Sequence, residues 1–225
     1  MSRELRVVGG LLGLLAAGIA LSTQLDAPAR GWLVLAVVVA ANVALPLAAR
    51  AVGRDDWVTV WAVLLPVSVL QVLPDWVLAG LVGTLEFDPI GGPRLGDTIT
   101  LAMAGLWVVP LAVAVIGADG RPGRAAGLAL GIFAGAELLA PTIGIWEPTG
   151  RASEVAGVAL YVLPAEAVLG AAAALAVAAD RSATSTGIRR LGRRAAVAGL
   201  VSAAYTGSAV TAYFLIDVAS FTVTV

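Results

Sequence analysis

The chain has 225 residues, of which 60% are hydrophobic and 13% charged, and its mean hydropathy is +0.95. Soluble domains are usually about 45–50% apolar and about 25% charged, so these few charges cannot cover a water-facing surface. The composition therefore predicts a single all-α integral-membrane domain over residues 1–225. The lipid bilayer is its expected partner and nucleic acid is not, while its oligomeric state stays open.

The missing residue types exclude whole classes of chemistry. All 14 basic residues are arginine, and the chain has no lysine, histidine or cysteine. Disulfides, thiolate nucleophiles, zinc-finger, iron–sulfur or haem ligation and histidine acid–base catalysis are therefore excluded, as is a lysine Schiff base. We expect no cofactor and no metal site, and the reactive groups that remain are carboxylates, hydroxyls and aromatic rings.

Seven apolar runs are long enough to be membrane helices, since a hydrocarbon core of ~30 Å needs roughly 20 residues. A further short run, Val77–Leu85, follows Pro74 and is expected to extend the third helix past a proline kink or to form a re-entrant piece. The seven runs are Val7–Ser22, Gly31–Ala49, Trp57–Val72, Thr98–Ile116, Ala125–Ile145, Val155–Ala179 and Ala195–Ile216.

The first run has two interpretations. Arg3 and Arg6 followed by an apolar stretch and Ala27-Pro28-Ala29 resemble a secretory signal peptide with a small-residue cleavage site. Asp26 and Pro28 crowd that site, so a retained first helix is favoured.

Arginine placement sets the expected orientation. With the N-terminus inside, eleven arginines fall on the inner side, and Arg30, Arg94 and Arg151 fall on the outer side. This bias predicts a multi-pass protein of the cell membrane with a cytoplasmic N-terminus and an external C-terminus. Trp32, Trp76 and Trp146 near the outer boundary are typical of an interfacial aromatic belt.

Small residues at helical spacing predict where helices approach closely. Gly127, Gly131 and Gly135 form a small-xxx-small ridge on the fifth run, and Gly9 with Gly13 forms a shorter one on the first. Such ridges let helix backbones come together in lipid.

Two ionisable side chains lie inside apolar runs, where such groups are costly and therefore indicate function by default. Glu137 lies 12 residues into the fifth run and Glu166 lies 11 residues into the sixth, so both are expected near the bilayer middle. Nearby Pro141 and Pro164 free backbone carbonyls. The pair is predicted to serve as catalytic proton donor and acceptor, or as a cation site. The alternative is a structural pair of protonated glutamates that bond across helices.

Other polar and aromatic residues are weaker candidates. We expect Trp107, Tyr161, Asn42 and Asp75 to contribute to a substrate-binding cleft. Hydroxyl groups on the seventh run are expected to bond to backbone or to neighbouring helices. The polar segment Glu86–Asp97 could bind a divalent ion or cap a cavity, although an ordinary solvated set of turns is favoured because its acidic spacing fits no established metal motif.

Two pairs of stretches repeat in outline. Leu70–Asp75 resembles Leu160–Glu166 at an offset of 90 residues, and Phe87–Gly91 resembles Trp146–Gly150 at an offset of 59. Because the offsets disagree, the sequence does not predict a tandem duplication.

The stretch from Gly144 to Ala178 resembles the membrane lycopene cyclases of carotenoid synthesis. The matching pieces are Gly144-Ile145-Trp146 and Leu163-Pro164-Ala165-Glu166, while Ala167 replaces the second glutamate of that family's motif. The resemblance implies redox-neutral protonation of an apolar isoprenoid ligand by a buried carboxylic acid, here Glu166 with Glu137 as partner. A transporter or proton pathway that uses the same carboxyls and a non-catalytic membrane scaffold are the alternatives.

Overall fold

The computed structural model describes residues 3–87 and 90–219, apart from the side chain of Thr142. Within these residues the fold is an all-α bundle of seven helices, as predicted. Six of them are long and apolar enough to cross a membrane, and α4 is shorter. The helices are α1 Arg3–Ser22, α2 Ala27–Ala51, α3 Asp55–Val82, α4 Met103–Gly117, α5 Pro122–Ile143, α6 Val162–Arg181 and α7 Gly187–Val218.

Short antiparallel strands gather at one end of the bundle, here called the strand-bearing end. There β1 (Leu85–Glu86) pairs with β4 (Glu147–Pro148), β2 (Arg94–Leu95) with β3 (Ile99–Thr100), and β5 (Glu154–Val155) with β6 (Val158–Ala159). The opposite end carries most of the arginines, and we call it the arginine-rich end.

These strands correct two predicted helix starts. The fourth helix begins at Met103 and not at Thr98, because Ile99–Thr100 is paired as β3. The sixth begins at Val162 and not at Val155, because the preceding residues form the β5–β6 hairpin. Apolar strand residues had lengthened both apolar runs.

Helix α3 continues past Pro74 as far as Val82. This is the first of the two alternatives predicted for the short run Val77–Leu85. Its α-helical parts Asp55–Leu70 and Val72–Trp76 meet at Gln71, and a π-helical turn, Val77–Val82, completes it. Pro74 has no N–H, so the Leu70 carbonyl lacks its helical donor. The Ser202 hydroxyl on α7 donates to that carbonyl at 2.9 Å, which keeps the interruption satisfied inside the bundle and bears out the expectation for this α7 hydroxyl.

Helix α4 is interrupted as well. Its parts Met103–Leu106 and Val108–Gly117 meet at Trp107. The Trp107 backbone N–H donates to the Ser68 hydroxyl oxygen at 3.2 Å. The interruption at Trp107 is therefore bonded to the turn of α3 that precedes Gln71.

The order of elements repeats once along the chain, which the conflicting sequence offsets did not predict. Helix α3 is followed by β1, the β2–β3 hairpin and α4, and helix α5 is followed by β4, the β5–β6 hairpin and α6. The sequence offset of 59 matches the spacing between β3 and β6 and between the starts of α4 and α6. The echo at 90 has no such basis, because Leu70–Asp75 lies late in α3 whereas Leu160–Glu166 spans the start of α6.

The predicted glycine ridges are wrong as packing surfaces. A Cβ added at Gly127, Gly131 or Gly135 would meet no described atom within 4 Å, and the same holds for Gly9 and Gly13. The close approach of α5 and α6 occurs instead at Gly170, where a Cβ would lie 2.4 Å from Ala129 Cβ and 2.5 Å from the Ala125 carbonyl oxygen.

Ion pairs hold the arginine-rich end together. Asp180, buried near the end of α6, accepts hydrogen bonds from Arg190 at 2.7 Å and Arg194 at 2.8 Å on α7. Arg54, in the turn before α3, pairs with Asp56 and with Glu4 of α1. Hydrogen bonds to these two carboxylates raise the pKa of the Arg54 guanidinium above its ordinary value.

Candidate functional site

A small cavity lies among α3, α4, α5, α6 and α7. Its volume is about 30 Å³, measured as the space open to the centre of a water molecule. One water needs roughly 10–15 Å³ on this measure, so the cavity has room for about two. Its lining residues are Gln71, Asp75, Leu78, Leu85, Phe87, Met103, Trp107, Phe133, Glu137, Trp146, Val162, Glu166, Leu169 and Tyr205.

Three carboxyl side chains line this cavity. Asp75 comes from α3, Glu137 from α5 and Glu166 from α6; Asp75 and Glu166 are buried and Glu137 is partly exposed. All three side chains line the same cavity. The structure thus brings the two predicted catalytic glutamates together and adds Asp75 to them.

The depth expected for the two glutamates is corrected. Glu166 is the fifth residue of α6, which begins at Val162, and Glu137 lies six residues before the end of α5 at Ile143. Both therefore sit toward the strand-bearing end and not halfway along their helices. Helix α6 starts seven residues later than predicted, whereas α5 starts three residues earlier and ends two residues earlier.

Three polar atoms around the cavity are buried and have no hydrogen-bond partner among the described residues. They are Asp75 Oδ2, Glu166 Oε2 and Gln71 Nε2. Leaving such an atom unpaired costs roughly 1–3 kcal/mol. Their side chains are only 6%, 4% and 2% exposed, so bulk water does not compensate them.

Glu137 is held by an aromatic partner. The Trp146 indole N–H donates to Glu137 Oε2 at 3.1 Å. Trp146 directly precedes β4, whose pairing with β1 sets Pro148 opposite Leu85. The strand pair therefore joins the ends of α3 and α5 and fixes this ring beside the cavity.

A larger apolar groove lies on the other side of Trp146, among α1, α2, α4 and α5. Its volume is about 380 Å³ on the same measure, and aliphatic side chains dominate its lining. Gly135, on the unpacked face of α5, contributes to it. Trp107 and Trp146 line both the groove and the cavity.

Aromatic rings form the boundary between the two spaces. The Trp107 ring meets the Trp146 ring edge-on at a centroid distance of 5.6 Å, and it meets Phe133 at 5.1 Å. Trp107 lines both spaces, and its role in binding a substrate stays a prediction. An apolar chain in the groove would lie against the aromatic wall that faces the carboxyls.

Two other predicted site residues lie away from the cavity. The Asn42 amide on α2 donates to the Val38 carbonyl and, at 3.0 Å, to the Gly105 carbonyl of α4, so it ties two helices together. Tyr161 is fully buried, donates to Thr84 Oγ1 at 3.0 Å and packs edge-on against Tyr213. Neither lines the cavity.

The polar segment after α3 caps the cavity from the strand-bearing end. Leu85 and Phe87 line the cavity, while Glu86 and Asp97 are exposed to solvent. Asp88, which belonged to the suggested ion-binding segment, lies outside the described residues. The position of Phe87 fits a cavity cap, and the exposure of Glu86 and Asp97 fits solvated turns.

Several cavity residues carried no clear signal in the sequence. Gln71 is one uncharged polar residue in an apolar run, and Trp146 fits an aromatic belt equally well. Phe133 and Tyr205 resemble ordinary core and hydroxyl residues of membrane helices. The offset of 59 that relates Phe87 to Trp146 also relates Trp107 to Glu166, and it could have linked the two halves of the site.

Comparison with known proteins identifies a family but supplies no activity. No curated protein and no solved structure matches the chain significantly. A family model described as a domain of unknown function, DUF6989, matches residues 72–216. The matched range covers more than half of the chain and contains Asp75, Glu137 and Glu166. The chain therefore belongs to the DUF6989 family.

Proposed function

We propose that this protein is an enzyme of the cell membrane, with a cytoplasmic N-terminus, that rearranges a double bond of an apolar isoprenoid lipid by acid–base catalysis. The observation that carries the proposal is the position of Trp107 and Trp146. These two rings line both a cavity with three carboxyls and an apolar groove of about 380 Å³. The lycopene cyclase-like stretch around Trp146 and Glu166 supports the same class of substrate.

The sizes of the cavity and the groove indicate where each part of the substrate would lie. A cavity of about 30 Å³ cannot hold a lipid chain, so the chain would lie in the groove. Its reacting double bond would meet the carboxyls at the Trp107–Trp146 boundary. The aliphatic lining of the groove suits a hydrocarbon, and the aromatic faces suit a transient cation.

The hydrogen bonds assign different roles to the two glutamates. Glu166 Oε2 has no partner among the described residues, and a buried carboxyl without partners stays neutral. Glu166 is therefore the proposed acid. Glu137 accepts the Trp146 N–H, which stabilises a carboxylate, so Glu137 is the proposed base.

The reaction then balances without a cofactor. The Glu166 O–H proton adds to one alkene carbon, the π pair forms the new C–H bond, and a carbocation remains on the adjacent carbon. Either the cation persists where it forms, or the π pair of a second double bond attacks it, which closes a ring and leaves the positive charge on the other carbon of that double bond. The Glu137 carboxylate removes a proton from a carbon next to the cation, and a double bond is restored. The product is an isomer of the substrate.

A proton or cation pathway is the second candidate, because helices α3 and α4 are both interrupted beside the cavity, at Gln71 and Trp107. Interrupted helices at a polar site are common in transporters. A purely structural role agrees less well with the unpaired atoms of Asp75 and Glu166. Purified protein in liposomes with an internal pH dye distinguishes the candidates, since the enzyme proposal expects no proton flux above protein-free liposomes.

Expression in a lycopene-accumulating bacterial host, followed by pigment analysis, tests the enzyme proposal. We expect wild type to convert lycopene to an isomer of equal mass, and Glu166→Gln and Glu137→Gln to leave at least 90% unconverted, since loss of a general acid or base costs roughly 10²–10⁴-fold. Glu154→Gln, an exposed glutamate on β5, is the matched control and should match wild type. Equal pigments in every strain, an empty-vector strain included, would remove lycopene as the substrate.

A further inference from the structure

The unpaired atoms of the cavity are complementary to water. Gln71 Nε2 is a donor without an acceptor, while Asp75 Oδ2 and Glu166 Oε2 need partners too. One water molecule can accept from the amide and donate to two carboxyl oxygens. The cavity volume of about 30 Å³ accommodates one or two such molecules.

A metal ion fits this site less well than water does. Among the described residues, no group of three or more acidic side chains lies close enough to hold one ion. Gln71 also presents an amide N–H₂ group, and an N–H group cannot ligate a cation. Proton transfer between the carboxyls across the cavity thus requires a molecule that both donates and accepts hydrogen bonds.

The proposed reaction leaves its two glutamates in the wrong states for another turnover. Glu166 has given its proton to the substrate and Glu137 has taken one from the product. A proton must therefore return from Glu137 to Glu166 before the next cycle. Both side chains line the same cavity, and the surrounding residues Leu78, Met103 and Leu169 are apolar.

We propose that the cavity binds one or two water molecules held by Gln71, Asp75 and Glu166, and that this water returns the proton from Glu137 to Glu166. The Glu137 carboxyl gives its proton to the water, and the water gives a proton to the Glu166 carboxylate. One proton moves and the water is unchanged. Asp75 accepts a hydrogen bond from the water and so positions it for this proton transfer. The water site stands on geometry alone, whereas the proton-return role rests on the proposed function.

Infrared spectroscopy of the purified protein tests the water site without any substrate. In attenuated-total-reflection cells, the spectrum of a protein-free lipid film at the same hydration is subtracted to remove bulk water. Exchanging ordinary water for oxygen-18 water then shifts the remaining O–H stretch of an ordered internal water. We expect such a band in wild type and its loss in Gln71→Leu, which removes the amide donor at nearly constant volume. Gln24→Leu also removes an amide, but an exposed one bonded to Thr23 outside the cavity, so it should retain the band.

The protonated-carboxyl bands give a second readout on the same samples. Gln71→Leu should shift the bands that disappear in Asp75→Asn and Glu166→Gln, whereas Gln24→Leu should not. If Gln71→Leu does not fold, Gln71→Met replaces it and the wild-type oxygen-18 measurement still stands.

An absent isotope-sensitive band in wild type, or an identical band in Gln71→Leu, would overturn the water site. Pigment conversion tests the enzyme function separately, so the water site and the enzyme function can be refuted independently. For the proton-return role, we expect Asp75→Asn to keep the first turnover and to slow later turnovers at least tenfold. An equal loss in the first turnover would contradict that role.

Discussion

Trp146 Nε1 and Glu137 Oε2 are joined by a hydrogen bond of 3.1 Å, and this bond links the two spaces of the site. Trp146 borders the apolar groove as well as the carboxyl cavity, whereas Glu137 lines the cavity. Whatever occupies the groove therefore lies against the ring that holds the proposed base.

Trp146→Phe tests this link. The phenyl ring keeps an aromatic wall but cannot donate to Glu137, so the carboxylate loses a stabilising bond. We expect lipid conversion to fall roughly 10–100-fold, the effect of about 1.5–3 kcal/mol for a hydrogen bond to a charged group. Trp32→Phe changes a tryptophan that is 59% exposed and should leave conversion unchanged. Equal rates in the two variants would show that the N–H bond has no part in the reaction.

Gly170→Ala probes the true contact between α5 and α6. The added methyl would lie 2.4 Å from Ala129 Cβ and 2.5 Å from the Ala125 carbonyl oxygen, which forces the helices apart. We expect a loss of about 1–3 kcal/mol in the free energy of unfolding. Gly131→Ala, whose Cβ would meet no described atom within 4 Å, should instead gain roughly 0.5–1 kcal/mol. Thermal unfolding in detergent compares the two, and the reverse order would contradict the packing.

Arg30 ties three chain segments together at the strand-bearing end. Its guanidinium donates to the carbonyls of Ser22 at the end of α1, of Leu25 and of Ile143 at the end of α5. A cation at two helix C-termini is favourable. We expect Arg30→Gln to destabilise the protein by about 1–3 kcal/mol and to widen the groove, which Ser22 and Ile143 line.

The matched control for Arg30 is Arg151→Gln, an exposed arginine near the same end. Its unfolding temperature should equal that of wild type. A wider groove should also admit a fluorescent apolar probe more readily in Arg30→Gln. Unchanged unfolding and unchanged probe binding would mean that the three carbonyl bonds contribute nothing.

Asp180→Asn should weaken the contact between α6 and α7 at the arginine-rich end. Asp180 is 4% exposed and bonds to Arg190 and Arg194, which are partly exposed. Because water screens the arginine side, we expect a modest loss of about 1 kcal/mol. Asp97→Asn, on the exposed β2–β3 turn, should cause no loss. Raising the salt concentration should reduce the difference between the two variants.

The helices followed from the sequence more completely than the strands did. Long apolar runs predicted all seven helices because the bilayer imposes a minimum length on any span. The same criterion placed Val155 and Ile99 in helices, because apolar strand residues next to a span extend the run. Hydropathy alone cannot find where such a helix begins, and the pairing of β2 with β3 and of β5 with β6 decides it.

The site was predictable mainly where charge revealed it, and Trp107 is the uncharged candidate that lines the cavity. Glu137 and Glu166 stand out because an ionisable group inside an apolar run is rare. Gln71 and Trp146 do not, since single amides and boundary tryptophans are common in membrane helices. Their place at the cavity arises from tertiary contacts, namely the interruption of α3 and the pairing of β1 with β4, which local sequence does not encode.

The most direct test of the account is conversion of an isoprenoid polyene by purified protein in liposomes. Wild type and Glu166→Gln are incubated with lycopene, and the products are separated and weighed by mass spectrometry. If Glu166 is the catalytic acid, wild type yields an isomer of equal mass, and Glu166→Gln yields at least a hundredfold less of that isomer. A product of different mass, or equal conversion by the two proteins, would contradict acid–base catalysis by Glu166.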